Sequence, residues 1–543
     1  MIRIRFCSWC FAMSMAFSVA VAGFAQSENG GEGGEVAGIA TAAVSESSVE
    51  AKGGKSSVTA AGSVEKKGGV PPVVHPRVGE SLEIADGVSL TLVGKLQNYY
   101  GSGSDADILS PKSVNIHPSG KKFYVNSLEG GKTLVYSLPD LKKLEVITHS
   151  FSAKDSALWA PSSGLFKFRH YSKNLDTFMG KPVESAFSHG GRYLWVPYYR
   201  RSFDLNAQDP SAVAIIDTET DRIVRMMEAG VLPKMVAVSP DGETLAIAHW
   251  GDNTVGLIDI SSADPKHWKY KANVVIGRQL FHNFSLTTSV DRDSNTGEAL
   301  RGTVFSPDGR FLFVGCMSGG GIAVIDLRSQ KYVGKILGLL PNVRHLVIRG
   351  NWLYASINRS GQVQRIPLSR LMAAAEQMNG RNVEVVGWES AKVAGGARTL
   401  ELSPKGDYIF VACNSGSALC VVDSTMKSRG QMPADSYPVG LDVSPDGKWL
   451  ITTSQGRKGH GGNCVDIFQL TGLETDFTSA ADDDCARPTT DSNAPAVEVS
   501  VQDDSSSVNS SHRLIIVAVA AVLMVILAAI GLKVRQNHSR RTH

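Results

Sequence analysis

One unit recurs seven times along the chain, and that recurrence limits what the chain can fold into more than any other feature. The copies are SVNIHPSGKKFYVNS, ESAFSHGGRYLWVPY, MVAVSPDGETLAIAH, GTVFSPDGRFLFVGC, HLVIRGNWLYASI, TLELSPKGDYIFVAC and GLDVSPDGKWLITTS. Their turn glycines are Gly120, Gly191, Gly242, Gly309, Gly350, Gly406 and Gly447. The two shortest steps, Gly309 to Gly350 and Gly406 to Gly447, are each 41 residues. Longer steps elsewhere mark insertions.

Each copy has a mechanical meaning. A short alternating strand meets Ser-Pro-Asp-Gly, where proline sets the turn entry and glycine takes positive φ. A second strand returns. A third follows a polar turn and ends on aspartate, as in VAIID, VGLID, IAVID and LCVVD, at Asp217, Asp259, Asp326 and Asp423. A fourth often follows, such as KYVGKIL. Four short antiparallel strands at a period near 40 residues describe one blade of a radial array. One blade cannot bury both faces, so blades must stack. The fold class expected is all-β: a seven-bladed β-propeller over residues 83–470. The early strand Val88 to Leu96 is placed to complete the last blade. A sandwich or barrel would leave the seven copies unexplained. One helix is expected, from Ser369 as cap to Gly380.

The flanks read differently. Residues 1–25 carry Arg3 and Arg5, an apolar run and small residues at Gly23 and Ala25, the pattern of an export signal. Residues 26–80 are a Gly/Ser/Ala-rich linker, and residues 472–512 an acidic, Ser/Thr-rich stalk. Leu514 to Leu532 contains no charge and no proline, long enough to span a bilayer as a helix. The basic tail 533–543 follows, which places it in the cytoplasm. The expectation is a single-pass membrane protein whose propeller is exported to the periplasmic or cell-surface side. A formal charge of +3 over 543 residues argues against nucleic acid as a partner.

The motifs SPDG, the following strand of the type lyVa, and the third strand of the type v-x-v-i-D resemble the YVTN-type β-propeller repeats of the lactonase-like and quinoprotein-like propellers. The resemblance covers about 390 residues. It implies an extracytoplasmic binding or scaffold protein. Some relatives are enzymes, notably sugar-lactone hydrolases, and a hydrolase or lyase with its site at the channel mouth stands as the alternative. No catalytic set of that family matches here residue by residue.

The repeat lets equivalent positions be compared within one chain. Eight residues before the turn glycine stand Lys112, Val183, Lys234, Arg301, Arg398 and Val439, with Arg344 at the matching place of the shorter fifth copy. The first strand of a blade lines the central channel, so these cations are expected to gather at one mouth and to hold an anion or an acidic partner. Separated, solvated charges are the alternative. Two insertions, Tyr198–Ala212 and Arg278–Leu300, add Tyr199, Arg200, Arg201 and His282 as candidate ligand groups. His249 and Trp250 read as a surface pair or part of a site. No His-x-His, His-Glu-x-x-His or Cys-x-x-Cys occurs in the body, so no metal or cofactor is expected. Cys413 and Cys420 flank one turn, with burial as their default. The ligand is expected to be a protein, a peptide or an anionic envelope component.

Overall fold

The computed structural model describes residues 76–98, 105–456 and 462–475, with the backbone of 500–501. The expected signal and membrane span lie outside these residues. Among the described residues no helix is long and apolar enough to cross a membrane.

Seven sheets follow one another along the chain, antiparallel except where Lys331–Leu337 meets the short strand Val383–Glu384. The innermost strands are Pro111–Ile116, Ala186–Ser188, Pro233–Val238, Leu300–Phe305, Val343–Arg349, Ala397–Leu402 and Pro438–Val443. Each pairs with the next strand in sequence, as in Ala397–Leu402 with Tyr408–Cys413 and Pro438–Val443 with Trp449–Ser454. The chain is a seven-bladed β-propeller. Its seventh blade takes Pro438–Val443, Trp449–Ser454 and Cys464–Thr471 from the end of the propeller and Val88–Gln97 from its start. Leu92 stands opposite Phe468 and Leu90 opposite Leu470 in that closing pair.

The turn motif is a small hydrogen-bonded clamp. Ser306 Oγ donates to Asp308 at 2.6 Å, and accepts from Phe311 N at 2.9 Å. Gly309 N donates to Ser306 O at 2.9 Å. Ser444, Asp446, Gly447 and Trp449 repeat it. The third-strand aspartates act alike: Asp326 and Asp423 each accept from the backbone N–H two residues on, at 2.8 Å. These side chains replace backbone partners that a tight corner would leave unpaired.

The apolar core lies between neighbouring blades. Ala246, Ala248, Val255 and Leu257 of the third blade pack on Leu300, Leu312 and Val314 of the fourth. The helix runs Leu368–Gln377, two residues earlier than the serine cap implied; Pro367 occupies the cap with no side-chain hydrogen bond. Leu371, Ala374 and Ala375 fix its position by packing against the fourth and fifth blades. Cys413 and Cys420 are buried, with their sulfurs 3.5 Å apart.

Candidate functional site at the channel mouth

Every basic residue singled out by the repeat sits at an irregularity in its inner strand. Pairing slips between Pro233 and Met235, between Val343 and His345, and between Ala397 and Thr399. Lys234, Arg344 and Arg398 are the extra residues. The same slip brackets Lys112, Arg301 and Val439. A bulge turns its side chain out of the strand's alternation, and here it turns five cations toward the axis. Two residues earlier the backbone is left-handed in each case, at Ser110, Leu232, Ala299, Asn342, Gly396 and Tyr437. Five of those six carry a Cβ, so the entry into each inner strand holds some strain.

Neighbouring blades fix these bulges. Ser356 Oγ donates to Arg398 O at 2.5 Å, and Thr453 Oγ1 donates to Lys112 O at 2.9 Å. Gly302, next to Arg301, comes so close to the following inner strand that an added Cβ would stand 2.5 Å from Leu346 N.

The second blade supplies the counter-charge. Its register position is Val183, but the next residue is Glu184. Arg301 Nη1 and Arg398 Nη2 each stand 3.9 Å from Glu184 Oε1. Burial alone would raise the Glu184 carboxyl; Lys112, Arg301, Lys234 and Arg398 overcome that and hold it at about 2. Lys234 shifts well below the usual lysine value, from burial first and then from Arg301 and Lys112. Its Nζ lies 4.2 Å above the Tyr199 ring and 5.8 Å from that of Trp250. Lys112, Glu184, Arg301, Arg344 and Arg398 line a cavity of about 130 Å³ on the axis.

The other sequence candidates divide. Tyr199 belongs to the cluster through Lys234. Arg200 donates to Asp204 O at 3.1 Å. Arg201 is 2% exposed, enclosed by Trp159, Phe168 and Phe178, and donates to Leu175 O and Ser211 O; its surroundings are those of a packed core. His282 donates to Gly251 O at 3.2 Å and stacks on Phe284, pinning its insertion to the third blade. His249 and Trp250 are not a surface pair: both are buried. His249 Nε2 accepts from Gly230 N at 3.0 Å, so Nδ1 carries the proton and donates to Thr254, which donates to Asp252. Burial holds that imidazole down at about 3. The expectation failed because the second strand end is covered by insertions. Asn206 of one reaches Ser285 and Thr288 of another, at 2.7 and 2.8 Å, and Arg169 lies over the Phe281 ring.

Among the described residues no group of three or more His, Cys, Asp or Glu side chains converges as a metal site. Glu184 escaped sequence reasoning because it is one place out of register. The lack of a base at Val183 was the available signal that the second blade does something different.

No protein-family model matches the chain. Antigen Lp49 of Leptospira interrogans serogroup Icterohaemorrhagiae serovar copenhageni (strain Fiocruz L1-130) is 25% identical over 175 residues, 28% of this chain and 35% of that protein. The matched part therefore spans about a third of that relative's length. Among solved structures, Kuenenia stuttgartiensis hydrazine synthase matches with a TM-score of 0.47 and 15% identity, covering 69% of this chain and 99% of that one. The β-propeller domain of Myceliophteria thermophila Cps50 (Swd1) matches with a TM-score of 0.45 and 13% identity, covering 70% and 99%.

Proposed function

We propose that this chain is an exported, membrane-anchored propeller that captures an anionic group of its ligand at the channel mouth. The observation that carries the reading is the convergence of Lys112, Lys234, Arg301, Arg344 and Arg398 from five blades, all buried, with Glu184 as the carboxylate among them. Charges gathered in a low-dielectric recess act far more strongly than the same charges in water. Arginine supplies paired donors that match a carboxylate or phosphate edge.

The path of the chain supports the anchored arrangement. The cations stand where inner strands begin, and the Ser-x-Asp-Gly turns stand where they end. Thr475 N donates to Asp446 O in one such turn, so at Thr475 the chain stands on the face opposite the cations. A stalk and span beyond that point would turn the basic mouth away from the membrane.

The test is calorimetric titration of the full-length chain in detergent with inorganic phosphate and with simple carboxylates. Binding should weaken about tenfold or more in Arg398→Gln, the cost of losing one charged hydrogen-bond donor. Binding unchanged in Arg398→Gln and Arg301→Gln removes the anion reading.

A further inference from the structure

The axial cavity does not stop at the cations. The same lining continues to His345, Glu401 and Asp442. Arg398 and Glu401 stand three residues apart on one inner strand, a rise of about 10 Å. Asp442 Oδ2 accepts from Ile116 N of the first blade at 2.6 Å, and Oδ1 accepts from Val443 N at 2.9 Å. That carboxyl is fixed by backbone from two blades and makes no ion pair among the described residues. Glu401 is held by Leu402 N at 3.0 Å, with Arg349 Nη2 3.6 Å away. Arg349 is 44% exposed in its side chain, so it reaches Glu401 from the rim. The charge of Glu401 acts on Asp442 and, after burial, is what raises its carboxyl. His345 donates Nδ1–H to Leu400 O at 3.1 Å, and burial holds its ring neutral, at about 4.

One cavity thus has a cationic end and a carboxyl end. We propose that it takes an amphoteric small molecule, with its carboxylate or phosphate on Arg301, Arg344 and Arg398 and an ammonium group on Asp442 and Glu401. The inference rests on the anion reading above and adds the second pole. An ammonium has three donors and no acceptor, which suits two carboxyl groups fixed by backbone N–H. It also offsets the charge of Glu401, which opposes ionisation of Asp442. A simple anion offers no such offset. A simple amine meets the cations first. Only a ligand bearing both charges gains at both ends, and the field along the channel sets its direction.

The probes are ε-aminocaproate, caproate and n-hexylamine, titrated into the full-length chain. ε-Aminocaproate should bind at least tenfold more tightly than caproate, and n-hexylamine more weakly than either. Asp442→Asn should abolish the preference while leaving caproate affinity within about twofold. Glu401→Gln serves as the second variant should Asp442→Asn not fold. Equal binding of ε-aminocaproate and caproate, both lost in Arg398→Gln, overturns the amphoteric ligand and leaves the anion reading intact. Absence of any Arg398-dependent binding, of phosphate as of caproate, overturns both.

Discussion

Lys95 Nζ lies 2.7 Å from Asp466 Oδ1, joining strands whose residues are 371 positions apart. Asp435 Oδ2 stands 3.7 Å from the same ammonium. Burial works against the lysine's charge, but Asp466 and Cys464 beside it hold its pKa well above the ordinary value. The pair therefore fastens the ring where its first strand meets its last. Asp466→Asn keeps the shape and removes the charge. Asp435 still faces the ammonium, so stability should fall by about 1.5–3 kcal/mol, the worth of one charged hydrogen bond. Urea denaturation measures it. The lysine's raised pKa keeps its share of the pair until pH climbs through the folded lysine value, whereas burial raises the Asp466 carboxyl, so the pair weakens as pH falls through that raised value. The loss in the variant should therefore shrink on acidification.

Glu184→Gln tests the opposite balance. The carboxylate lowers the potential of the cation cluster, so its removal should tighten phosphate binding about tenfold, by roughly one charge–charge interaction. The same change leaves the cations without it and should cost about 2–4 kcal/mol of stability. Because the folded carboxyl is depressed to about 2, the wild-type advantage should be complete above the unfolded value near 4.3 and should fade as pH falls toward 2. Titration calorimetry and acid denaturation read the two halves.

Gly302→Ala tests how the ring of cations is held. The new Cβ meets one peptide link of the neighbouring inner strand, 2.5 Å from Leu346 N and 2.7 Å from His345 C, and backbone cannot rotate away. Thermal unfolding should show a loss of about 1–3 kcal/mol. The displaced segment carries Arg344, so phosphate affinity should fall as well. A loss of stability with unchanged affinity would show that the bulge tolerates movement of its neighbour.

The repeat made much of this legible. Ser306, Asp308 and Gly309 announce their clamp by composition alone, and Asp326 and Asp423 announce the corner after a third strand. A period near 40 residues and the strand from Val88 then suffice for ring and closure. The site was legible only by register: counting back from the turn glycine finds Lys112, Lys234, Arg301, Arg344 and Arg398 without showing why they converge. The reason is the bulge, a backbone event with no residue signature at these positions; Leu232, Ala299 and Tyr437 enter it with positive φ although none is a residue that favours that region. Glu184 lies one place out of register. His249 and Arg201 look like ligand groups because polar residues at strand ends usually meet water, and here insertions from elsewhere in the sequence cover both.

Asp442→Asn separates stability from binding. Burial first, then the charge of Glu401, raises the Asp442 carboxyl to about 8. The folded state therefore prefers the protonated acid, while the unfolded chain ionises near 3.9. Stability contributed by the protonated form is complete below the unfolded value and is lost as pH rises through the folded one. The wild type should thus weaken steadily between about pH 4 and pH 8 through this residue. The amide keeps acceptor capacity toward Ile116 N and cannot ionise. The variant should match wild type near pH 4 and exceed it at pH 8, by denaturant midpoint. An amphoteric ligand reverses the order, because its ammonium favours the ionised acid. With saturating ε-aminocaproate at pH 8, the wild type should gain stability that the variant does not.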